Sequence, residues 1–74
     1  MKSNYDNLFT LTKTQVRIVE YLLDKTKVDP NQWAKDLGFK YHTLQTHLYF
    51  LRDKYVVNST TELLEAIKDR GLEP

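Results

Sequence analysis

Gly38 is the residue that most limits how this chain can fold. It separates two stretches whose apolar residues recur every three or four positions: Trp33, Ala34 and Leu37 before it, then Leu44, Leu48, Leu51 and Tyr55 after it. That interval places each set along one side of an α-helix. Glycine readily takes the left-handed backbone that ends a helix and redirects the chain. The pattern predicts a short helix, a sharp turn and a longer amphipathic helix.

The flanking segments extend this to four helices. Thr12 is a candidate N-cap, followed by Gln15, Ile18, Val19, Leu22 and Leu23 at helical spacing. Asp29-Pro30 combines a capping carboxylate with a proline at the first helical position. Ser59-Thr60-Thr61-Glu62 reads as a capping box ahead of Leu63, Leu64 and Ile67, with Gly71 as terminator. The expected fold class is all-α: four helices near 12–24, 30–37, 41–54 and 60–70. They form one domain over 11–72, preceded by a polar tail over 1–10 from which Leu8 and Phe9 pack back onto the core.

Composition narrows the function classes. With 74 residues, 41% of them hydrophobic, the chain supports one small core and no second domain. It contains no cysteine, so neither disulfides nor thiolate metal sites sustain the fold. No apolar run approaches membrane-spanning length and the start Met1-Lys2-Ser3-Asn4 is no signal peptide, so a cytoplasmic protein without membrane contact is expected. Eleven basic against ten acidic side chains give a net charge of only +1, mild for a nucleic-acid binder. The distribution is less even. Lys40, Arg52 and Lys54 face only Asp53 between residues 39 and 55, while Glu62, Glu65, Asp69 and Glu73 gather toward the C-terminus.

The polar side of the third helix carries Tyr41, His42, Gln45, Thr46, Tyr49 and Arg52, none required by the apolar seam. A short helix, a glycine turn and a longer helix with such a side is the layout of a helix-turn-helix, whose second helix enters the DNA major groove. Gln45 can offer its amide to an adenine in a bidentate pair, worth about 1–3 kcal/mol of discrimination. Thr46 can set its methyl against a thymine methyl or its hydroxyl on a base edge. Tyr49, one turn beyond Gln45, can reach a base or a phosphate, and His42 completes the candidate base contacts. Lys40, Thr43, Arg52 and Lys54 suit phosphate contacts, which fix register without reading sequence.

In order and spacing the chain resembles the LuxR/GerE-type helix-turn-helix of bacterial transcription regulators, from Leu11 to about Leu72. Leu11-Thr12 is similar to the family's opening Leu-Thr, and Ile18-Val19 to its first apolar pair. Ala34 and Leu37 fall on its Ile-Ala-x-x-Leu, with Trp33 in place of the Ile. Thr43, Leu44 and His47 match its Thr-Val-x-x-His, Leu51 and Lys54 its Ile-x-x-Lys, and Thr61-Glu62-Leu63 its Thr-Glu-Leu. Departures accompany these matches. Lys13-Thr14-Gln15 replaces Pro-Arg-Glu, Lys40 stands where Ser or Thr is usual, and Tyr55-Val56 replaces Leu-Gly. Gln45 and Tyr49 occupy positions that are often Lys. The resemblance implies phosphate contacts at Thr43 and Lys54, and self-association through the fourth helix.

From that helix a weak homodimer is expected, with Leu64, Glu65 and Lys68 at its interface. Two recognition helices would then meet half-sites about one DNA turn apart. The initiating Met1 and polar tail favour a free-standing regulator over an excised effector domain. No catalytic set assembles without cysteine and with scattered acids, so no enzyme and no cofactor are expected. His42 and His47 lie five apart and do not share a helical side as metal ligands would. His47 is expected to pack or bond near the turn, and Trp33 to lie in the core. The near-neutral charge and the residues at 45 and 49 keep a second reading open: a helix-turn-helix-derived protein-interaction module, an anti-activator or a binder of RNA polymerase or another regulator, with little DNA affinity.

Overall fold

The computed structural model describes residues 11–74; the expected tail over 1–10, with its packing of Leu8 and Phe9, lies outside the described residues. Four helices follow in order: α1 Lys13–Leu22, α2 Pro30–Leu37, α3 Tyr41–Tyr55 and α4 Thr60–Arg70. No strand occurs among the described residues. The domain is all-α, and α3 packs on both α2 and α4, while α4 also meets α1.

Each helix starts and stops for local reasons. At α1 the Gln15 amide N–H donates to Thr12 Oγ1 (3.2 Å) and the Thr12 N–H donates to Gln15 Oε1 (2.9 Å), a reciprocal capping box. This use of its side chain explains how Gln15 is buried beside the fully enclosed Ile18, Val19 and Leu22. Regular α1 ends at Leu22, two residues short of the sequence expectation, and Leu23 is exposed. Asp29 caps α2 with Pro30 at its first position. Gly38 ends α2 at φ 80°, and the N–H groups of Gly38 and Phe39 donate back to the carbonyls of Lys35 and Ala34.

At α4 the cap is split over two residues. Ser59 Oγ accepts from the Glu62 N–H, as a capping box requires, but Glu62 Oε2 accepts from Asn58 rather than Ser59. Among the described residues the core draws on every helix and includes Trp33, Leu44, Leu48, Leu51, Tyr55, Leu63 and Ile67. Truncating one of these leucines to alanine costs about 2–5 kcal/mol, a large share of the stability of so small a domain.

Polar links between the helices help set how they sit. Tyr21 Oη on α1 donates to the Asp36 carboxylate on α2. Tyr55 Oη donates to the Gly71 carbonyl (2.5 Å), and Arg70 Nη1 donates to the Tyr55 carbonyl (2.8 Å), which joins the ends of α3 and α4. Arg17 Nη2 donates to the Leu37 carbonyl (2.7 Å), so α1 ties down the last turn of α2.

Candidate nucleic-acid interface

The arc that α3 buries decides what it can present. At 100° per residue, Leu44, Leu48, Leu51 and Tyr55 fall within roughly 60° of its circumference, and all four are fully buried. Fifteen residues make a rod about 22 Å long. Directly opposite the seam runs a strip of His42, Thr46, Tyr49 and Asp53, all exposed. Gln45 and Arg52, both half-buried, border the strip on one flank; Thr43 and Lys54, also half-buried, border it on the other, with the exposed Phe50 between them and the strip.

The exposed side of α3 is apolar in part. Tyr49 is 61% and Phe50 51% exposed, and their rings meet edge to face at 5.7 Å. Several polar side chains are already engaged. Gln45 Nε2 donates to Tyr41 Oη one turn earlier (2.9 Å), and Thr46 Oγ1 donates to the His42 carbonyl (3.1 Å). Arg52 Nη1 donates to Thr60 Oγ1 on α4 (3.2 Å), and its guanidinium carbon lies 6.0 Å from the Tyr49 ring centroid. A hollow of about 230 Å³ lined by Tyr49, Arg52, Asp53, Val57 and Asn58 closes this end of the surface.

At the other end, α3 begins without a side-chain cap, because Lys40 occupies the cap position with extended backbone. The first-turn N–H groups and the exposed Lys40 together favour an anion there. Arg17 stands nearby, a residue that sequence reasoning missed. Its guanidinium lies 5.6 Å from the Phe39 ring centroid, and Phe39 in turn meets His47 at 5.1 Å. His47 therefore packs at the turn, as expected. No local pattern signals this stack, since Arg17 and Phe39 are far apart in sequence. Tyr41 and Phe50 were also absent from the expected contacts, although the position of Phe50 follows from Thr46 plus one turn.

Leu64 is placed differently from the expectation. It is only 5% exposed and belongs to the core, as does Ala66, while Glu65 and Lys68 are exposed. The reason is that α4 packs against both α3 and α1 and buries roughly 160° of its circumference, from Ala66 through Leu63 and Ile67 to Leu64.

A second hollow, about 260 Å³, lies between α1, the following loop and α2, with no contribution from α3. Tyr21, Asp24, Lys25, Asp29, Gln32 and Asp36 line it among others. Asp36 accepts from Tyr21 and from Gln32 Nε2 (2.7 Å), and these bonds hold its carboxyl below the usual range. Desolvation, then the bond to Asp36, pushes the Tyr21 phenol up to about 12. Asp24 pairs with Lys25 (3.7 Å) and Asp29 accepts from the Gln32 N–H (3.4 Å), and every buried side-chain polar atom among the described residues is paired. The hollow therefore aims no idle buried donor or acceptor at a ligand.

No family model matches the chain, and neither a curated protein nor a solved structure does.

Proposed function

We propose that the chain is a sequence-specific DNA-binding transcription regulator of LuxR/GerE-like helix-turn-helix type, with α3 as recognition helix in the major groove. One observation carries this reading. The outward strip of α3 holds His42, Thr46 and Tyr49 beside Asp53, with Gln45 at its edge, and residues suited to phosphates border it on both flanks, Arg52 on one side, Thr43 and Lys54 on the other. A major groove has the same cross-section, base edges between two phosphate backbones. The three-residue turn from Gly38 to Lys40 and the packing of α2 on α3 support it. In this reading His42, Gln45, Thr46 and Tyr49 contact bases, and Lys40, Thr43, Arg52 and Lys54 contact phosphates. Arg17 adds a cation beside the turn.

A weak homodimer through α4 accompanies the proposal. Its contacts are Glu65 and Lys68, one turn apart on the exposed side, which pair reciprocally across a two-fold axis. Exposed ion pairs of this sort contribute little, hence the weakness.

Selection of bound duplexes from a random pool at moderate salt tests the reading. Enrichment of a two-fold motif with half-sites about one helical turn apart is the expected result. Affinity should fall linearly with salt on logarithmic axes, and Lys40→Ala should lower that slope by about one. Folded protein that retains no duplex even at low salt would sink the proposal. It would leave the protein-interaction module, which the exposed Tyr41, Tyr49 and Phe50 rings favour. Tyr49→Ala should then weaken a protein partner.

A further inference from the structure

We infer that α3 recognises C5-methyl groups of pyrimidines, thymine first, through an apolar patch made by the Thr46 methyl and the Phe50 ring; this rests on the DNA-binding reading above. Thr46 and Phe50 stand four residues apart, so they are neighbours on the helix surface, about 6 Å between Cβ atoms. Both are exposed.

The hydrogen bonds made within α3 decide what this patch offers. Thr46 Oγ1 donates its proton to the His42 carbonyl at 3.1 Å. Its hydroxyl has no donor left for a base edge and keeps only acceptor lone pairs, so the methyl is the group that can answer an apolar base feature. Phe50 has only its ring to offer, steadied by the Tyr49 edge at 5.7 Å. The polar neighbour on the opposite flank is also held: Gln45 has one amide N–H committed to Tyr41. Sequence reasoning leaves Thr46 two options, hydroxyl or methyl. The backbone bond removes the hydroxyl's donor and so favours the methyl.

In the major groove the base-pair feature that answers apolar side chains is the C5-methyl of thymine, and threonine methyl and phenylalanine are suited to it. Burying one methyl-sized group is worth about 0.8 kcal/mol, which corresponds to about fourfold in affinity. A methyl contact of this kind distinguishes thymine from cytosine and from uracil, and it accepts 5-methylcytosine.

The test replaces each thymine of the enriched duplex by deoxyuridine, one position at a time, and measures affinity by titration. Loss of about fourfold at one or two positions per half-site is expected. Thr46→Ser, which keeps the hydroxyl and deletes the methyl, should abolish the difference at one of them; Thr46→Val should retain it. Phe50→Ala should remove the neighbouring one. Changing cytosine to 5-methylcytosine at a thymine-preferring position should restore affinity. Both side chains are exposed, so circular dichroism should show all variants folded. If thymine and uracil duplexes bind equally at every position, or if binding has no sequence preference, the inference fails while DNA binding stands. If no duplex binds at all, the parent reading fails.

Discussion

Gly38 and Val56 occupy the same conformational position at the ends of successive helices. Gly38 ends α2 at φ 80°, ψ 25°, and Val56 ends α3 at φ 57°, ψ 51°. At each, the cap N–H and the next N–H donate back to two carbonyls of the last turn: Lys35 and Ala34 at the first end, Asp53 and Arg52 at the second. Glycine accepts this backbone freely. Valine, branched at Cβ, does so at a cost of about 1–2 kcal/mol, and its 85% exposure shows that no burial offsets it.

Val56→Gly should therefore stabilise the domain by about 0.5–1 kcal/mol, the relief of left-handed strain exceeding the greater freedom of glycine in the unfolded chain. Gly38→Ala should do the reverse. A Cβ at Gly38 meets nothing within 4 Å, so a loss of about 1 kcal/mol would be conformational rather than steric. For a domain this size each change amounts to several degrees of Tm, about 4–8 °C per kcal/mol. Equal melting temperatures for wild type and Val56→Gly would contradict the assignment of strain.

The Tyr55 hydroxyl is the next test. Tyr55 is fully buried, and burial raises its phenol pKa. Its bond to the Gly71 carbonyl fastens the end of α4 to the end of α3. Tyr55→Phe should cost about 1–2 kcal/mol in urea melts and leave helix content intact. Hydrogen exchange should quicken first around residues 67–72, where the lost bond acted.

The bond between Tyr21 and Asp36 predicts stability limits at both pH extremes. The Asp36 carboxyl is held low, first by Tyr21 and then by Gln32, so its contribution is present above the ordinary carboxylate range and disappears as pH falls through its folded value. The Tyr21 phenol is raised, so its contribution is complete below its ordinary value of 10.0 and disappears as pH climbs toward about 12. Tyr21→Phe should flatten both limbs of a Tm-against-pH curve relative to wild type. An unchanged acid limb would show that the bond does not persist in solution.

Leu64→Ala and the pair Glu65 and Lys68 separate stability from association. Because Leu64 lies in the core, its truncation should cost about 2–5 kcal/mol at any protein concentration. Lys68→Glu should leave the melt nearly unchanged and shift sedimentation toward monomer, and combining it with Glu65→Lys should restore the dimer. Monomer at all concentrations for the wild type would remove the α4 interface from the proposal.

Arg17→Ala should loosen the turn before α3. It removes a charged hydrogen bond to the Leu37 carbonyl and the contact with Phe39, a loss of about 1–2 kcal/mol. If Arg17 also meets a phosphate, the salt slope of DNA binding falls by about one in the same variant.

The sequence by itself determined the helices, because the chemistry that starts and stops them acts within three or four residues. Thr12 with Gln15, Asp29 with Gln32, Gly38, and Ser59 with Glu62 each complete their bonds inside about one turn, and the seam of α3 is a local period. The outward residues of α3 were legible for the same reason. Tertiary structure decided what no local pattern encodes. It brought Arg17 to a carbonyl twenty residues away and Tyr55 to one sixteen away. It enclosed Leu64, because α4 has two packing partners and a periodic pattern does not reveal how many sides of a helix are covered. A side chain's residue type lists what it can bond; only its neighbours in space settle which bond it makes.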